Sequence, residues 1–347
     1  MHQCRGMLKL LSSCSQLEVG PAVRRRDFMV LLVSAAAGLP RSADAQSVGK
    51  TFRVGMLLTA NPRSTSFIQA FERKLAELGY VEGRNLIIEY RDAKGQIEQL
   101  PGLAAELVRA GVDVIVTTTE LGTRAVKETG DRIAVLMVAI NFDPLALGFI
   151  ESIARPGRNM TGLFFQHLDL LSKRFGLLKE MLPSAQRVAI FSDRQSEDQL
   201  KKVEEVNRTV GLKLQPIFLQ NPPYDFADAF VGAKRNQSDA VFVLESAPIF
   251  RARAQIAELA ERNQLPASFA FREYVQAGGL VSYGVSFIAM FQQAAEYADK
   301  ILKGAQPAEI PVQQATKFEM VINLRTAKSL GITIPPALLA AADDVIE

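Results

Sequence analysis

Residues 52–95 contain the pattern that most restricts the fold of this chain. Phe52–Leu58 is a short apolar run, which predicts a buried strand, and a polar segment with a proline follows it. From Ser64 to Leu78 apolar residues recur at helical spacing, and Gly79 predicts the end of that helix. Leu86–Tyr90 is the next predicted strand. Two strands joined by a helix indicate a right-handed parallel β–α–β unit, in which ligands bind at the carboxyl ends of the strands.

The same alternation continues along the chain. Apolar runs predict strands at Val112–Thr117, Ala134–Ile140, Arg187–Phe191, Leu212–Phe218, Asp239–Leu244 and Pro266–Phe269. Amphipathic segments predict helices around Gln99–Ala110, Thr123–Glu128, Leu171–Leu182, Ile249–Asn263 and Phe287–Leu302. This pattern predicts an α/β protein made of two similar halves, each a doubly wound parallel sheet.

Composition excludes several classes of function. Six of the 40 basic and three of the 37 acidic residues lie in residues 1–45, which leaves 34 of each in a formally neutral body. A neutral body gives no electrostatic argument for nucleic-acid binding. Both cysteines, Cys4 and Cys14, lie in that leader, and His167 is the one histidine beyond it. We therefore expect no metal site and no cofactor.

Motifs of catalysis are also missing from the sequence. It contains neither the G-x-x-x-x-G-K-[ST] phosphate loop nor the G-x-S-x-G nucleophile elbow. Its acidic residues form no pair with another catalytic candidate in sequence. We therefore expect a protein that is not an enzyme.

Residues 24–45 have the order of a secretory signal. Arg24–Arg26 is a charged region, Val30–Leu39 is an apolar run, and Ala43-Asp44-Ala45 is a cleavage site, so we expect cleavage after Ala45. The paired arginines followed by Phe28 resemble a twin-arginine signal. A membrane anchor is the alternative, but about ten apolar residues are too few to span a bilayer.

Two further alternatives concern the first residues of the chain. Leu11-Ser-Ser-Cys14 resembles a lipoprotein box, although its apolar lead-in is short and a second signal follows it. The other alternative is that translation begins at Val23, so that residues 1–22 are not made.

Several segments match one family in colinear order. They are KLAELGYVEGRNLIIEYRDAKG at 74–95, LPGLAAELV at 100–108, VDVIVT at 112–117, RPGRNMTG at 155–162 and the tail from Pro307 to Glu347. Together they resemble a family of bacterial ABC-importer substrate-binding proteins that includes tryptophan- and other aromatic-amino-acid-binding members. That family has RPGGNxTG where this chain has Arg158 in place of the second glycine. If that position has a positive φ, the arginine costs about 1 kcal/mol.

The resemblance implies a bilobed type-I periplasmic-binding fold whose lobes close on a ligand by a hinge. We expect residues 1–45 to be the signal peptide. Residues 51–162 plus about 286–312 are expected to form the first lobe, and residues 163–285 plus about 313–347 the second. The segment Thr161–Gln166 is expected to be the crossing between the lobes.

Polar or aromatic side chains follow the predicted strands. In the first lobe they are Thr59, Asn61, Ser64, Thr118, Thr119, Asn141 and Asp143, and in the second they are Ser192, Asp193, Glu245, Ser246, Phe271 and Tyr283. Two sheets that face each other would gather these residues around one cleft, so they are the candidate ligand-binding residues. Hydroxyls and helix N-termini suit a carboxylate, and Asp143, Asp193 or Glu245 suits an ammonium group. Aromatic residues such as Phe164, Phe165, Phe271 and Tyr283 suit an apolar side chain.

Most candidates also have a structural interpretation. Asn141 and Asp143 suit a turn before Pro144, and Ser192-Asp193 suits a helix cap. Phe164-Phe165 suits packing between the lobes, Tyr283 suits a hinge, and the lone His167 suits a structural or surface position.

The resemblance leaves an amino-acid ligand open. Aromatic-amino-acid-binding members of the resembled family tend to carry an Asp-Asn pair at the position of Glu245-Ser246, and acidic residues at the position of Ala270-Phe271. This chain therefore keeps the position of the site but changes its chemistry.

The predicted function is that of a periplasmic solute-binding component of an ABC importer. It would capture a small solute, an amino acid or a related organic acid, and deliver it to a permease and its ATPase. We expect a monomer that binds no nucleic acid and has no stable membrane insertion after signal cleavage. The alternatives are a periplasmic ligand-sensing module for a signalling receptor and an enzyme on the same fold.

Overall fold

The structure, a computed structural model, describes residues 50–347, and the predicted signal peptide lies outside the described residues. The first part of the described chain alternates strand and helix as the sequence predicts. Its elements are β1 (Phe52–Leu58), α1 (Ser66–Glu77), β2 (Leu86–Asp92), α2 (Leu100–Arg109), β3 (Val114–Thr117), α3 (Glu120–Glu128), β4 (Ala134–Ile140) and β5 (Met160–Phe165).

The remaining part is longer and less regular. Its elements are α4 (Leu168–Met181), β6 (Arg187–Ser192), α5 (Glu197–Val210), β7 (Lys213–Phe218), α6 (Phe226–Arg235), β8 (Ala240–Val243), α7 (Ala247–Arg251), α8 (Arg253–Arg262), β9 (Ala267–Phe269), α9 (Arg272–Gln276), β10 (Val281–Val285), α10 (Phe287–Leu302), β11 (Gln313–Gln314), β12 (Phe318–Asn323), α11 (Leu324–Ser329), α12 (Pro336–Ala341) and β13 (Asp344–Ile346). Short 3₁₀ turns lie at Ile97–Gln99, Arg194–Ser196 and Pro307–Glu309.

The strands form two sheets, which confirms the predicted α/β fold. The first has six strands in the order β11-β5-β4-β3-β1-β2, and every pair in it is parallel. The second has seven strands in the order β13-β12-β10-β9-β8-β6-β7, with β10 and β12 antiparallel and the other pairs parallel. In each sheet the parallel strands therefore end at a common edge, which we call the first rim and the second rim.

Burial on both faces explains the continuous apolar runs of the central strands. All four residues of β3 and all four of β8 are buried, because helices cover both faces of each sheet. Helix α10 follows β10 of the second sheet but packs on the first: the rings of Phe67 in α1 and Phe291 in α10 lie 4.7 Å apart. One hydrophobic cluster then continues from this helix pair into the second sheet.

The chain passes between the two sheets at three places. These crossings are residues 166–167 after β5, Ser286 after β10, and residues 315–317 between β11 and β12. The Ser286 amide donates a hydrogen bond to the Lys317 carbonyl (3.0 Å), so two of the crossings are joined to each other. The crossing after β5 begins only after Phe165. Met160–Phe165 is a complete strand of the first sheet, so the crossing expected at Thr161–Gln166 is wrong in its position.

Three further details differ from the sequence-based prediction. The helix expected over Ile249–Asn263 is divided into α7 and α8 at Ala252, where φ is −85° and ψ is 10°. Helix α6 was not predicted, although its apolar residues pack in the core. Arg158 has no positive φ, so the arginine that replaces a family glycine carries no backbone strain there; Gly157 beside it has φ +83°.

Gly162 in β5 is a position that only glycine fits. Its φ is +153°, and a Cβ atom added to it would overlap the carbonyl oxygen of Met137 on the neighbouring strand β4. Gly176 is a useful contrast, because it lies exposed within α4 and a Cβ atom there meets nothing within 4 Å.

We predict opposite effects for alanine at these two glycines. Gly162→Ala should lower the free energy of unfolding by roughly 3 kcal/mol or more, since the backbone of β4 must move. Gly176→Ala should raise it by about 0.5–1 kcal/mol, the usual gain inside a helix. Urea denaturation followed by circular dichroism measures both, and equal effects would contradict the strand geometry.

Candidate ligand-binding site

The first rim carries a pair of bonded threonines. Thr59 follows β1, and Thr119 is the N-cap of α3, where its hydroxyl accepts a hydrogen bond from the Gly122 amide at 3.2 Å. The Oγ1 atoms of Thr59 and Thr119 lie 2.9 Å apart and form a hydrogen bond. The structure therefore joins the exits of β1 and β3, as parallel pairing of these two strands requires.

Thr118 lies between β3 and α3, and its hydroxyl has no hydrogen-bond partner among the described residues. The side chain is 2% exposed, so this Oγ1 is buried. The neighbouring Thr117 is also buried, but its hydroxyl is bonded to that of Thr123 at 2.8 Å. A buried hydroxyl without a partner costs free energy, so the Thr118 Oγ1 is a ready donor or acceptor for a guest at this rim.

The other first-rim candidates are turn or surface residues in this structure. Asn141 has φ +58° and accepts a hydrogen bond from the His167 amide at 3.2 Å. Asp143 accepts from the Leu145 and Ala146 amides, which is the turn that Pro144 suggested. Asn61 is partly exposed and Ser64 is exposed, both in the loop between β1 and α1.

Asp193 joins the loops of the second rim. Its Oδ1 accepts from the Gln195 amide and the Ser196 hydroxyl, both at 3.0 Å. Its Oδ2 accepts from the Tyr224 hydroxyl at 2.9 Å and from the Ser246 hydroxyl. Both oxygens have two donors, so the carboxylate is saturated. Asp193 therefore ties together the segments that follow β6, β7 and β8.

Glu245 is the other buried acid of this rim, and it retains a free oxygen. Its Oε2 accepts from the Tyr274 hydroxyl at 2.9 Å, whereas its Oε1 makes no hydrogen bond of good geometry within residues 50–347. The Ala270 amide lies near enough to lower the pKa of this carboxyl but does not complete such a bond. The side-chain amide of Gln199 in α5 holds the backbone of Glu245 through both its N–H and its C=O, at 3.0 and 2.7 Å. The unpaired oxygen thus belongs to a residue whose position is fixed.

Arg174 of α4 lies near Glu245 and is almost fully buried. Its Nη2 donates to the Val243 carbonyl at 2.9 Å, and its guanidinium carbon lies 4.5 Å from the ring centre of Phe242. Its Nε and Nη1 have no hydrogen-bond partner. Ser192 at the end of β6 is similar, because it is fully buried and its hydroxyl is unpaired.

Burial shifts the pKa values of three side chains, Glu245, Arg174 and His167. It raises the pKa of Glu245 to about 7, and the charge of Arg174 and the hydroxyl of Tyr274 offset part of that rise. Burial also lowers the pKa of Arg174 to about 10. The pKa of His167 falls to about 3, first through burial and then through repulsion from Arg174. His167 is therefore neutral at physiological pH.

An aromatic cluster lies where the two lobes meet. Phe271, 3% exposed, has its ring centre 4.3 Å from that of Phe287, 5.3 Å from His167, 5.6 Å from Phe250 and 6.1 Å from Phe165. Phe165 belongs to the first sheet and Phe271 to the second rim, so the cluster bridges the two sheets. Of the candidates Phe164 and Phe165, it is Phe165 that reaches this junction.

Tyr283 differs from its predicted placement. It is the central residue of β10 rather than a residue at a strand end, and it packs against a separate cluster that includes Leu177 and Met181. The apolar run before α10 hid the true end of the strand, which continues to Val285. The structure does not bring Tyr283 to the polar groups of the second rim.

The sequence-based prediction did not include Arg174 and Tyr274 among the site residues. Arg174 carries a signal that would have revealed it, because it interrupts the apolar stripe of Leu171, Phe175 and Leu178 in α4. Tyr274 carries no such signal, since its contact with Glu245 joins residues 29 positions apart.

Residues 50–347 contain neither a group of metal ligands nor a helix that could cross a membrane. Within that range no three His, Cys, Asp or Glu side chains are grouped as metal ligands. No helix there combines the length and hydropathy needed to cross a bilayer.

Two mostly parallel sheets, joined by three crossings and carrying polar groups at their strand ends, define a protein of the type-I periplasmic-binding fold. The chain belongs to the ABC transporter substrate binding protein family, whose model matches residues 59–346. This confirms the family that the sequence segments resemble.

One curated relative and two solved structures are similar to this chain. A tyrosine-binding protein from Clostridioides difficile is 22% identical over 287 residues, which is 79% of each chain. A conserved domain protein from Vibrio cholerae has a solved structure with 26% identity and a TM-score of 0.75, covering 85% of this chain and 100% of that one. An ABC domain from Streptococcus pneumoniae, solved in complex with L-Trp, has 22% identity and a TM-score of 0.75, covering 86% and 100%.

We predict that removing the Thr118 hydroxyl is harmless to the free protein. Thr118→Val should leave the free energy of unfolding unchanged or slightly raised, because the hydroxyl has no partner to lose. The matched variant Thr117→Val should lower it by about 1 kcal/mol, since it loses the bond to Thr123. Urea denaturation of both variants without added solute provides the comparison. An equal loss in both would show that the Thr118 hydroxyl is already engaged.

We predict that Glu245 makes stability depend on pH. Its folded-state pKa of about 7 lies above the ordinary value of 4.5, so its contribution is present below about pH 4.5 and is lost as pH rises through 7. From about pH 5 to about pH 8, wild type should therefore lose about 2 kcal/mol of unfolding free energy relative to Glu245→Gln. The opposite contribution of His167 is common to both proteins and cancels in the difference.

The control for this measurement is Glu258→Gln. Glu258 is an exposed residue of α8 that pairs with Arg262 at the surface, so this variant removes one glutamate charge without touching the buried cluster. A pH-independent difference between wild type and Glu245→Gln would contradict the assigned burial of Glu245.

Proposed function

We propose that this chain is the periplasmic solute-binding component of an ABC importer. It captures a small solute, an amino acid or a related organic acid, between the first and second rims and delivers it to a permease and its ATPase. Membership of the substrate-binding family supports this proposal. The tyrosine-binding relative and the L-Trp complex of a structural neighbour support the class of solute.

The observation that carries the proposal is the set of unpaired buried polar atoms at the rims. Thr118 Oγ1 belongs to the first rim, and Ser192 Oγ and Glu245 Oε1 belong to the second. Each costs free energy while it has no partner, and a solute that pairs with them removes that cost. A solute of the wrong shape leaves them unpaired, which is how buried polar groups produce specificity.

Closure of the lobes on the solute is part of the proposal. The three short crossings are natural hinges, because a few backbone torsions there move one sheet relative to the other. The aromatic cluster around Phe271 lies at the junction and would pack against the apolar part of a solute. Binding and release then need no covalent chemistry.

The location of the protein also belongs to the proposal. The arginine pair of residues 24–25 and the small residues before Gln46 support export by a twin-arginine signal, followed by cleavage after Ala45. The exported protein would act as a monomer in the periplasm, with exposed surfaces of both lobes docking on the permease.

We expect a thermal-shift panel of amino acids, aromatic acids and related organic acids to contain at least one ligand. A solute present at about 100 times its Kd should stabilise the folded protein by about 2.7 kcal/mol, seen as a higher Tm. Isothermal titration calorimetry on the same compounds then gives the stoichiometry, expected to be one. Turnover of a bound compound, followed by mass spectrometry, would instead favour an enzyme.

A further inference from the structure

Arg251, the last residue of α7, reaches from the second lobe to the first rim. A Cβ atom added to Gly95 would lie 2.5 Å from Arg251 Nη1 and 2.9 Å from Nη2. The guanidinium therefore lies directly against Gly95, which belongs to the loop after β2 in the first sheet. Arg251 follows Ser246 of the second rim by five positions, so one short segment connects the two rims.

Gly95 belongs to the same part of the first rim as the threonine pair. Its amide donates to the Thr59 carbonyl at 2.6 Å, and the Thr59 hydroxyl is bonded to that of Thr119. The unpaired hydroxyl of Thr118 is next in sequence to Thr119. The cation of Arg251 is thus placed at the edge of the rim that carries these threonine hydroxyls.

The guanidinium of Arg251 has no anionic partner among residues 50–347. It makes no ion pair and no hydrogen bond there, although Asp92 and Glu98 lie in the same stretch of chain as Gly95. Its neighbour Arg253 differs, because it donates to the Phe250 carbonyl and lies 4.9 Å from the Phe250 ring centre. An exposed guanidinium that lies against the other lobe without a counter-ion among the described residues is suited to pair with an anion that enters with a solute.

The acids of the rims are less suited to an ammonium group. Both oxygens of Asp193 are saturated, and Asp143 closes a turn. Glu245 keeps a free oxygen, but Arg174 lies close to it and repels any second cation. An ammonium group taken into this site would lose most of its hydration, and it would meet the free oxygen of Glu245 only beside the like charge of Arg174, which is costly.

The apolar part of the solute has one partly exposed ring to contact, that of Phe250, which lies at the edge of the buried aromatic cluster. Phe250 precedes Arg251 in α7, and its ring centre lies 5.6 Å from that of Phe271 and 6.0 Å from that of Phe287. The cation and the aromatic cluster are therefore presented by adjacent residues of one short helix. That arrangement suits a molecule whose carboxylate and apolar body are joined by a short link.

We propose that Arg251 is the residue through which the second lobe recognises the carboxylate of the solute, and that the solute is a carboxylic acid with an apolar body and no ammonium group. This inference rests on the proposed function and narrows its solute from amino acids or organic acids to organic acids. Arg251 then determines specificity and couples closure to occupancy, because its guanidinium lies against Gly95 of the other lobe.

Matched pairs of probes test the solute class. Each pair is an acid and the α-amino acid with the same skeleton: 3-phenylpropionate with phenylalanine, 3-(4-hydroxyphenyl)propionate with tyrosine, and 4-methylpentanoate with leucine. Calorimetric titration of the full chain gives Kd for all six. We expect at least one acid to bind roughly tenfold or more tightly than its amino-acid counterpart, because the ammonium group finds no free partner.

Substitutions then test Arg251 itself with the tightest acid. Arg251→Ala should raise the Kd of that acid roughly tenfold to a hundredfold, the loss expected for a charge-assisted hydrogen bond. The Kd of Arg251→Lys should lie between those of Arg251→Ala and wild type. The matched control is Arg208→Ala, an exposed arginine in the last turn of α5, which should leave Kd unchanged. Both substituted residues are exposed, so circular dichroism should show wild-type folding in each variant.

The outcomes separate this inference from the proposed function. Tighter binding of the amino acid in each pair, or an unchanged Kd in Arg251→Ala, would overturn the inference and leave solute binding intact. If none of the six probes and no compound of the wider panel binds, the proposed function is overturned, and the inference with it.

Discussion

Parallel pairing of strands is the constraint on which the arrangement of this molecule depends. Parallel neighbours bring their carboxyl ends to one edge, so residues far apart in sequence meet there without any sequence motif. Thr59 and Thr119, sixty positions apart, share a hydrogen bond for this reason, and Asp193 reaches Ser246 in the same way across the second sheet. The backbone pattern therefore selects which residues can act together before any side-chain chemistry is considered.

Side chains at these edges divide into those that hold the structure and those that remain unpaired. Asp193 belongs to the first kind, because each of its oxygens already has two donors. Thr118, Ser192 and Glu245 belong to the second, since each retains a buried polar atom without a partner. Proteins rarely leave such atoms unpaired, and their grouping at strand ends is more informative than the number of polar residues there.

Sequence reasoning recovered most of the fold, because apolar runs and helical spacing are local signals. The bounds of β1, β4 and α10 agree with the predicted ones, and the family resemblance extended the prediction to two lobes. It could not recover the bonding state of the site. Whether Asp193 is saturated depends on Tyr224, 31 positions away, and the contact of Arg251 with Gly95 depends on how two lobes meet. These facts arise from packing at long range, which a local pattern does not encode.

Asp193 has one more consequence, which concerns how such proteins diversify. Asp193 joins the loops after β6, β7 and β8, and Gln199 holds the backbone of Glu245, so the Oε1 atom of Glu245 takes no part in these connections. Under the proposed function, a different side chain at position 245 would change what the rim offers to a solute while the loop connections stay in place. Loop anchoring and cargo selection are thereby divided between neighbouring residues.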